Sequence, residues 1–270
     1  MRRYFPGILL LLFCCCKTPV QLALPVRVAA AVNGEAFYKK IGAMGRAERE
    51  PLMINEILSG NIPPFLKRLV PVKVSITDSA SGKIIGAVYF VTADYLSVGS
   101  NKNFARVPMS PMAAQFIADS LHCFLPTKKM VDDIYTAAAI KLNPEPLTSF
   151  RDSCITFFQH NILIEAQRHK RKGLIAGIKK DVVISSKINT DPKPNRVAIY
   201  GWHKADGKPI QPLYTGHVNW YVDYSHGIRL IYRTVIVDGK KMDYTDILKD
   251  LELKRLLTDE ATADFYRYTY

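Results

Sequence analysis

Along residues 72–77, Val72, Val74 and Ile76 alternate with Lys73, Ser75 and Thr77. A period of two marks a strand with one buried face. A polar turn at 78–82 and a more apolar stretch at 83–91 follow, so the pattern predicts a β-hairpin. Residues 94–98 and 104–107 predict short strands around the polar turn 99–103. Ahead of the hairpin, residues 32–60 read as helical, with Pro51 in the first turn of a helix at 51–59, and Pro63-Pro64 as an extended piece. Three helices follow: one opened by Ser110-Pro111 and carried to 121, one capped by Thr127 over 128–142, and one over 153–172 that spaces Ile155, Phe158, Ile162 and Ala166 at a helical period and stops at Gly173. From Asp181 the pattern turns to strands at 182–185, 197–202, 218–224 and 228–237, with Asp238-Gly239 as a turn and a closing helix at 244–257. Strands, then helices, then strands predict an α+β fold: an N-terminal β-hairpin, central helices and a C-terminal antiparallel β region closed by a helix.

Composition narrows the class. The chain has 270 residues, 48% hydrophobic and 23% charged, enough for one large core and too apolar for a disordered chain. Arg2 and Arg3 precede an apolar run at 8–13, the order found in export signals, and the run is too short to span a bilayer. Ala29-Ala30-Ala31 supplies small residues for cleavage, so residues 1–31 are expected to be an export signal and 32–270 a single α+β domain. Cys14-Cys15-Cys16 invites lipid anchoring at the membrane of the bacterial lipoprotein type, although Phe13 fits that pattern poorly. The expected location is periplasmic, cell-envelope or extracellular. Removing 1–31 takes four basic residues and no acidic one, which lowers the net charge from +13 to +9. A basic exported protein suits an anionic envelope polymer or an extracellular glycan or peptide. Nucleic acid is not expected, because the basic run 168–172 lacks interleaved aromatics and complements a helix C-terminus. Cys123 and Cys154 would remain as a candidate disulfide.

Candidate chemistry concentrates in residues 200–230, which hold half of the six histidines. Read as a strand, residues 217–225 place Val218, Trp220, Val222 and Tyr224 on one face and His217, Asn219, Tyr221, Asp223 and Ser225 on the other. His203 ends a neighbouring strand before a turn at Ala205-Asp206-Gly207, and Gly227 permits a tight turn or a close backbone approach. The expectation is a single polar cleft. Its catalytic set is His203, Asp223, His226 and Arg229: the carboxylate orients an imidazole, an imidazole moves protons and the guanidinium holds an anion. His217, Tyr221, Trp202 and Gln211 are the substrate-side residues. This set predicts a hydrolase of envelope or extracellular polymer. Zinc is the alternative cofactor, with Asp223, His226 and His203 as ligands; His217 and Asp223 would lie about 20 Å apart on an extended strand, and no HExxH spacing is present. A GxSxG elbow is absent as well. The opposing reading is a non-catalytic envelope-binding or structural module, favoured by the charge and by Tyr214, Tyr221 and Tyr232 as exposed aromatics. His160 in the third helix reads as a core contact or a reach into the cleft, and His122 and His169 as structural or solvated.

The segment Ser225-His226-Gly227-Ile228-Arg229 resembles the SHGCxR motif of the YkuD-type L,D-transpeptidases. That family's nucleophilic cysteine follows the glycine, where this chain has Ile228, so the resemblance implies a peptidoglycan-facing fold without that acyl-enzyme. The YGWH, IQPLY and YVDYSHGIRL segments, with LPTKKMVD at 125–132, resemble a group of uncharacterised exported bacterial proteins. That likeness implies export and a shared fold and carries over no catalytic role.

Overall fold

The computed structural model describes residues 19–270. Helices and antiparallel sheets combine in an α+β fold. The alternating stretch forms the expected hairpin: Val70–Thr77 pairs with Ile84–Val91, Val72 beside Tyr89 and Val74 beside Ala87. Ile84–Val91 is the hub of a six-stranded sheet. It also pairs with Ile231–Tyr232 and Thr234–Val237, while Lys240–Asp243 and Cys123–Phe124 extend the sheet at its ends. A second sheet has the order Pro209–Val218, Arg196–His203, Lys180–Val183, His226–Gly227, the first three antiparallel and the last parallel to its neighbour.

Short polar side chains start the helices where the sequence placed them. Ser110, Thr127 and Ser153 each accept the backbone amide three residues on and open Pro111–Ser120, Lys128–Ala137 and Cys154–Arg168. Other boundaries shift for local reasons. Arg46–Leu58 begins before Pro51 because Glu48 accepts the Gly45 amide at 2.9 Å, so the proline lies inside the helix. Pro63-Pro64 is not wholly extended, since Pro64–Lys67 makes one helical turn. The third helix stops at His169, which adopts the left-handed conformation at φ 48°, ahead of Gly173. The closing helix splits into Tyr244–Lys249 and the 3-10 turn Leu253–Leu256, because Asp250 accepts the amides of Glu252 and Leu253 and nucleates a new turn.

Residues 28–30, just ahead of the expected boundary at 31, are exposed, and the contacts with the rest of the fold come earlier in the chain. Leu22 is buried in the main core and donates its amide to Lys67, Gln21 bridges to Arg68, and Arg27 bonds Asn61 Oδ1 at 2.7 Å. The apolar run and the three cysteines at 14–16 lie outside the described residues. Among the described residues, no helix is long and apolar enough to cross a membrane. Cys123 and Cys154 are free, buried thiols rather than a disulfide: Cys123 points to the Leu121 carbonyl, and Cys154 lies beside Arg49.

Candidate functional site

Residues 219–225 are not a strand. The chain leaves Pro209–Val218, turns at Asn219-Trp220 with the Tyr221 amide on the Val218 carbonyl, and turns again before His226, whose amide bonds the Asp223 carbonyl. The segment's aromatic and β-branched composition suits a strand, but its backbone donors find partners across turns, and Tyr224 reaches Arg151. Folding back brings Asp223 near His217, which an extended strand would have kept apart.

The four-stranded sheet sorts the rest. Lys180 stands beside Gly201 and His226, and Asp181 beside Tyr200 and Gly227. Neighbours in register share a face, and consecutive residues take opposite faces. His226 therefore belongs with Lys180, while Arg229, two residues beyond Gly227, falls in with Asp181. The expected single cleft is thus two clusters, separated by the sheet.

His203 joins the Asp181 side by a backbone irregularity. Strict alternation would put it with Gly201, opposite Tyr200. Gly201 at φ +110° and Trp202 at φ 60° break the alternation, and Tyr200 and His203 both reach Asp132. Trp202 turns to the other face, buried near Tyr224, with the Lys180 ammonium 5.3 Å from its ring.

The Asp132 cluster is the one that opens to solvent. His203 Nε2 and the Tyr200 hydroxyl each lie 2.8 Å from Asp132 Oδ1, and the imidazole stacks on Tyr135 at 4.5 Å. These side chains line a hollow of about 510 Å3, with Lys141 and Asp206 also in its wall. Burial acts to raise the Asp132 carboxyl, but the hydrogen bonds from His203 and Tyr200 and the Lys128 charge outweigh it and hold the group below the usual carboxylate range. The result is an anion positioned to receive Nε2–H and to stabilise an imidazolium.

No family model, curated protein or solved structure matches this chain.

The second cluster is sealed. Asp223 is fully buried; its Oδ1 accepts the Ser225 amide at 2.8 Å and the Ser225 hydroxyl at 2.5 Å, and its Oδ2 accepts Arg151 at 2.7 Å. Desolvation opposes its charge, but His226, Ser225 and Arg151 pull the carboxyl down to about 2. His226 is 1% exposed, with Nε2 3.9 Å from Asp223 Oδ1 and, among the described residues, without a hydrogen-bond partner on Nε2. Desolvation pushes its imidazole down to about 4, so it stays neutral near pH 7. His217 and Tyr221 cover this pair, half-buried, with ring centres 4.7 Å apart. Beneath them Lys179 donates to the Tyr224 carbonyl and lies 3.2 Å from His160 Nδ1, and burial draws the ammonium down to about 7. His160 is fully buried, as its core reading expected.

Of the expected catalytic set, only His203 lines the open hollow. Asp223 and His226 pair on the opposite side of the sheet. Arg229 is 1% exposed, spends two nitrogens on the Thr92 and Ile175 carbonyls and has its Nε 3.7 Å from the buried Asp181 carboxylate, so it ties the interior together and is closed to an anion from outside. Of the expected substrate-side residues, Trp202 is buried, His217 and Tyr221 belong to the sealed cluster, and Gln211 bonds the adjacent Pro212 carbonyl. Among the described residues, no three His, Cys, Asp or Glu side chains are placed to hold a metal ion. His203 cannot join Asp223 and His226 as ligands, because it bonds Asp132 on the other face. Ile228, at the position of the transpeptidase cysteine, is buried in the core. Asp132 and Tyr200 were the residues missed: both lie in quoted segments, LPTKKMVD and YGWH, but only the turn of the backbone at 201–202 brings them to His203.

Proposed function

We propose that this chain is an exported hydrolase of an anionic envelope or extracellular polymer, in which His203, held by Asp132, is the general base. The observation that supports this reading is the imidazole–carboxylate pair, 2.8 Å apart, in the wall of an open hollow. Asp132 takes Nε2–H and leaves Nδ1 as the acceptor. A water in the hollow can pass its proton to Nδ1 as it attacks, and Asp132 stabilises the imidazolium that forms. Lys141, its ammonium 4.9 Å from the Tyr135 ring centre, places positive charge in the same wall, where negative charge would develop on substrate. Among the described residues, no serine or cysteine lines the hollow, and Thr136 donates its hydroxyl to the Asp132 carbonyl at 3.0 Å. Direct attack by water therefore fits better than a covalent intermediate.

Export is part of the proposal and rests on the arginines and short apolar run at the N-terminus. The test is release of soluble fragments from isolated envelope polymer. His203→Gln and Asp132→Asn are expected to lower the rate by about 100-fold or more, with circular dichroism unchanged. Retention on the polymer that weakens with salt, with no fragments released by the unaltered protein, would favour a binding module instead.

A further inference from the structure

Ile155, Ile162 and Ala166, three of the positions that give Cys154–Arg168 its helical period, face outward. Phe157, His160 and Ile164 turn to the interior and are buried. Ile155, Gln159, Ile162 and Ala166, which fall within about 60° of one another around the helix axis, are exposed, with Leu163 at their edge. The exposure is 63% for Ile155 and 52% for Ile162. A surface helix ordinarily turns charge outward. In this one the charged residues are Glu165 and Arg168, which pair at 2.7 Å in the last turn, and Glu165 is also held by Arg106 at 2.9 Å. What faces outward is therefore a strip of uncharged side chains about 16 Å long.

Basic residues follow the strip at once: His169, Lys170, Arg171 and Lys172 are all exposed. Arg171 closes the helix through the Gln167 and Arg168 carbonyls. Among the described residues, Lys170 and Lys172 have no acidic partner. The exposed Asp152 stands at the opposite end, ahead of the first turn. An apolar strip that runs into unpaired lysines is the combination that holds a helix in a lipid interface.

We propose that this face docks on an anionic phospholipid membrane, with the helix lying in the plane of the interface. The strip enters the boundary between headgroups and acyl chains, and the two ammonium groups, on four-carbon stems, reach lipid phosphates. A protein partner would need an apolar groove fitted to the curved helix face and edged with acid, whereas a lipid leaflet supplies both chemistries without a fitted shape. The net charge of +13 adds attraction to the same leaflet. The inference goes beyond the hydrolase reading and does not depend on it.

The test is sedimentation of the full chain with vesicles of phosphatidylcholine alone or mixed with an equal part of phosphatidylglycerol. Binding is expected on the anionic vesicles only and should weaken with salt. Lys170→Gln with Lys172→Gln should lower the affinity about 25-fold, at about fivefold per lysine. Ile155→Gln with Ile162→Gln should lower it about tenfold or more. All four positions are exposed, so the urea midpoint should stay in place. To separate this face from the apolar run at 8–13, Ile162→Trp puts an indole on the strip, and bromine on the acyl chains should quench its added emission. No sedimentation of the unaltered protein, sedimentation that both glutamine pairs leave unchanged, or an unquenched indole on a protein that does sediment overturns the proposal. So does self-association that Ile155→Gln with Ile162→Gln abolishes in the absence of any vesicle binding, since it gives the strip to a second copy of the chain.

Discussion

His226 and Asp223 carry the chemistry that looked catalytic in sequence, yet their surroundings make them elements of stability. His226 has its imidazole lowered from 6.5 to about 4, so the unfolded chain binds that proton first as pH falls. Stability linked to this residue is present above pH 6.5 and is lost toward pH 4, an effect on the order of 3 kcal/mol. Asp223 is depressed from 3.8 to about 2, so its contribution is present above pH 3.8 and is lost toward pH 2. Urea unfolding between pH 7 and 4 should show the steep loss in the unaltered protein, and His226→Gln, which cannot ionise, should flatten it. At pH 7, Asp223→Ala is expected to cost about 1–3 kcal/mol, since it leaves the buried Ser225 amide and hydroxyl without their acceptor. An unchanged unfolding midpoint would return Asp223 to the list of catalytic candidates. The residue types were visible in the sequence, but burial was not. Nothing in YVDYSHG tells a solvated carboxylate from one with both oxygens already occupied.

At the scale of elements, hairpin and caps were readable because each has a local cause. Alternation and a polar turn make Val70–Thr77 pair with Ile84–Val91, and a hydroxyl before an apolar run starts a helix. The segment 218–225 has the composition of a strand and is not one, because composition reports how side chains fit a sheet and does not tell where amide donors go. The positive φ at Trp202 had no signal at all, and it decides which histidine meets Asp132. Two elements position the site and can be tested. Thr127 caps the Lys128–Ala137 helix that carries Asp132 and donates its hydroxyl to the Leu257 carbonyl. Thr127→Ala should cost about 1–2 kcal/mol in thermal or urea unfolding. At Gly227, an added Cβ would fall 2.5 Å from the Tyr95 ring and 2.7 Å from Lys179 Cβ, where His226–Gly227 packs beside Lys180–Val183. Gly227→Ala should therefore cost about 1–3 kcal/mol by overpacking. Equal stability of that variant would mean the parallel pairing is looser than described.

At the scale of the whole molecule, charge and the N-terminal pattern speak to location, and the contacts of Leu22 and Arg27 bear on where a signal could end. Leu22 is buried in the core, and Arg27 ties Asn61 to the Ala31 carbonyl, the latter at 2.6 Å. If the protein is exported as proposed, N-terminal sequencing should find the mature chain beginning before Val20. A chain shortened by 31 residues should unfold at lower temperature than one shortened by 18, because it loses the Leu22 burial, about 1.5–3 kcal/mol. Equal stability would make residue 31 an acceptable cleavage boundary.

The division of the histidines between the two faces of one sheet is the claim on which the functional account stands. Its most direct test puts His203→Gln and His226→Gln side by side, reading polymer fragment release and urea unfolding on the same preparations at pH 7. The account predicts that His203→Gln stays folded and loses release, while His226→Gln releases fragments at the unaltered rate and departs from the unaltered protein in stability below pH 6.5. Release abolished by His226→Gln in a fully folded protein, and untouched by His203→Gln, would contradict it.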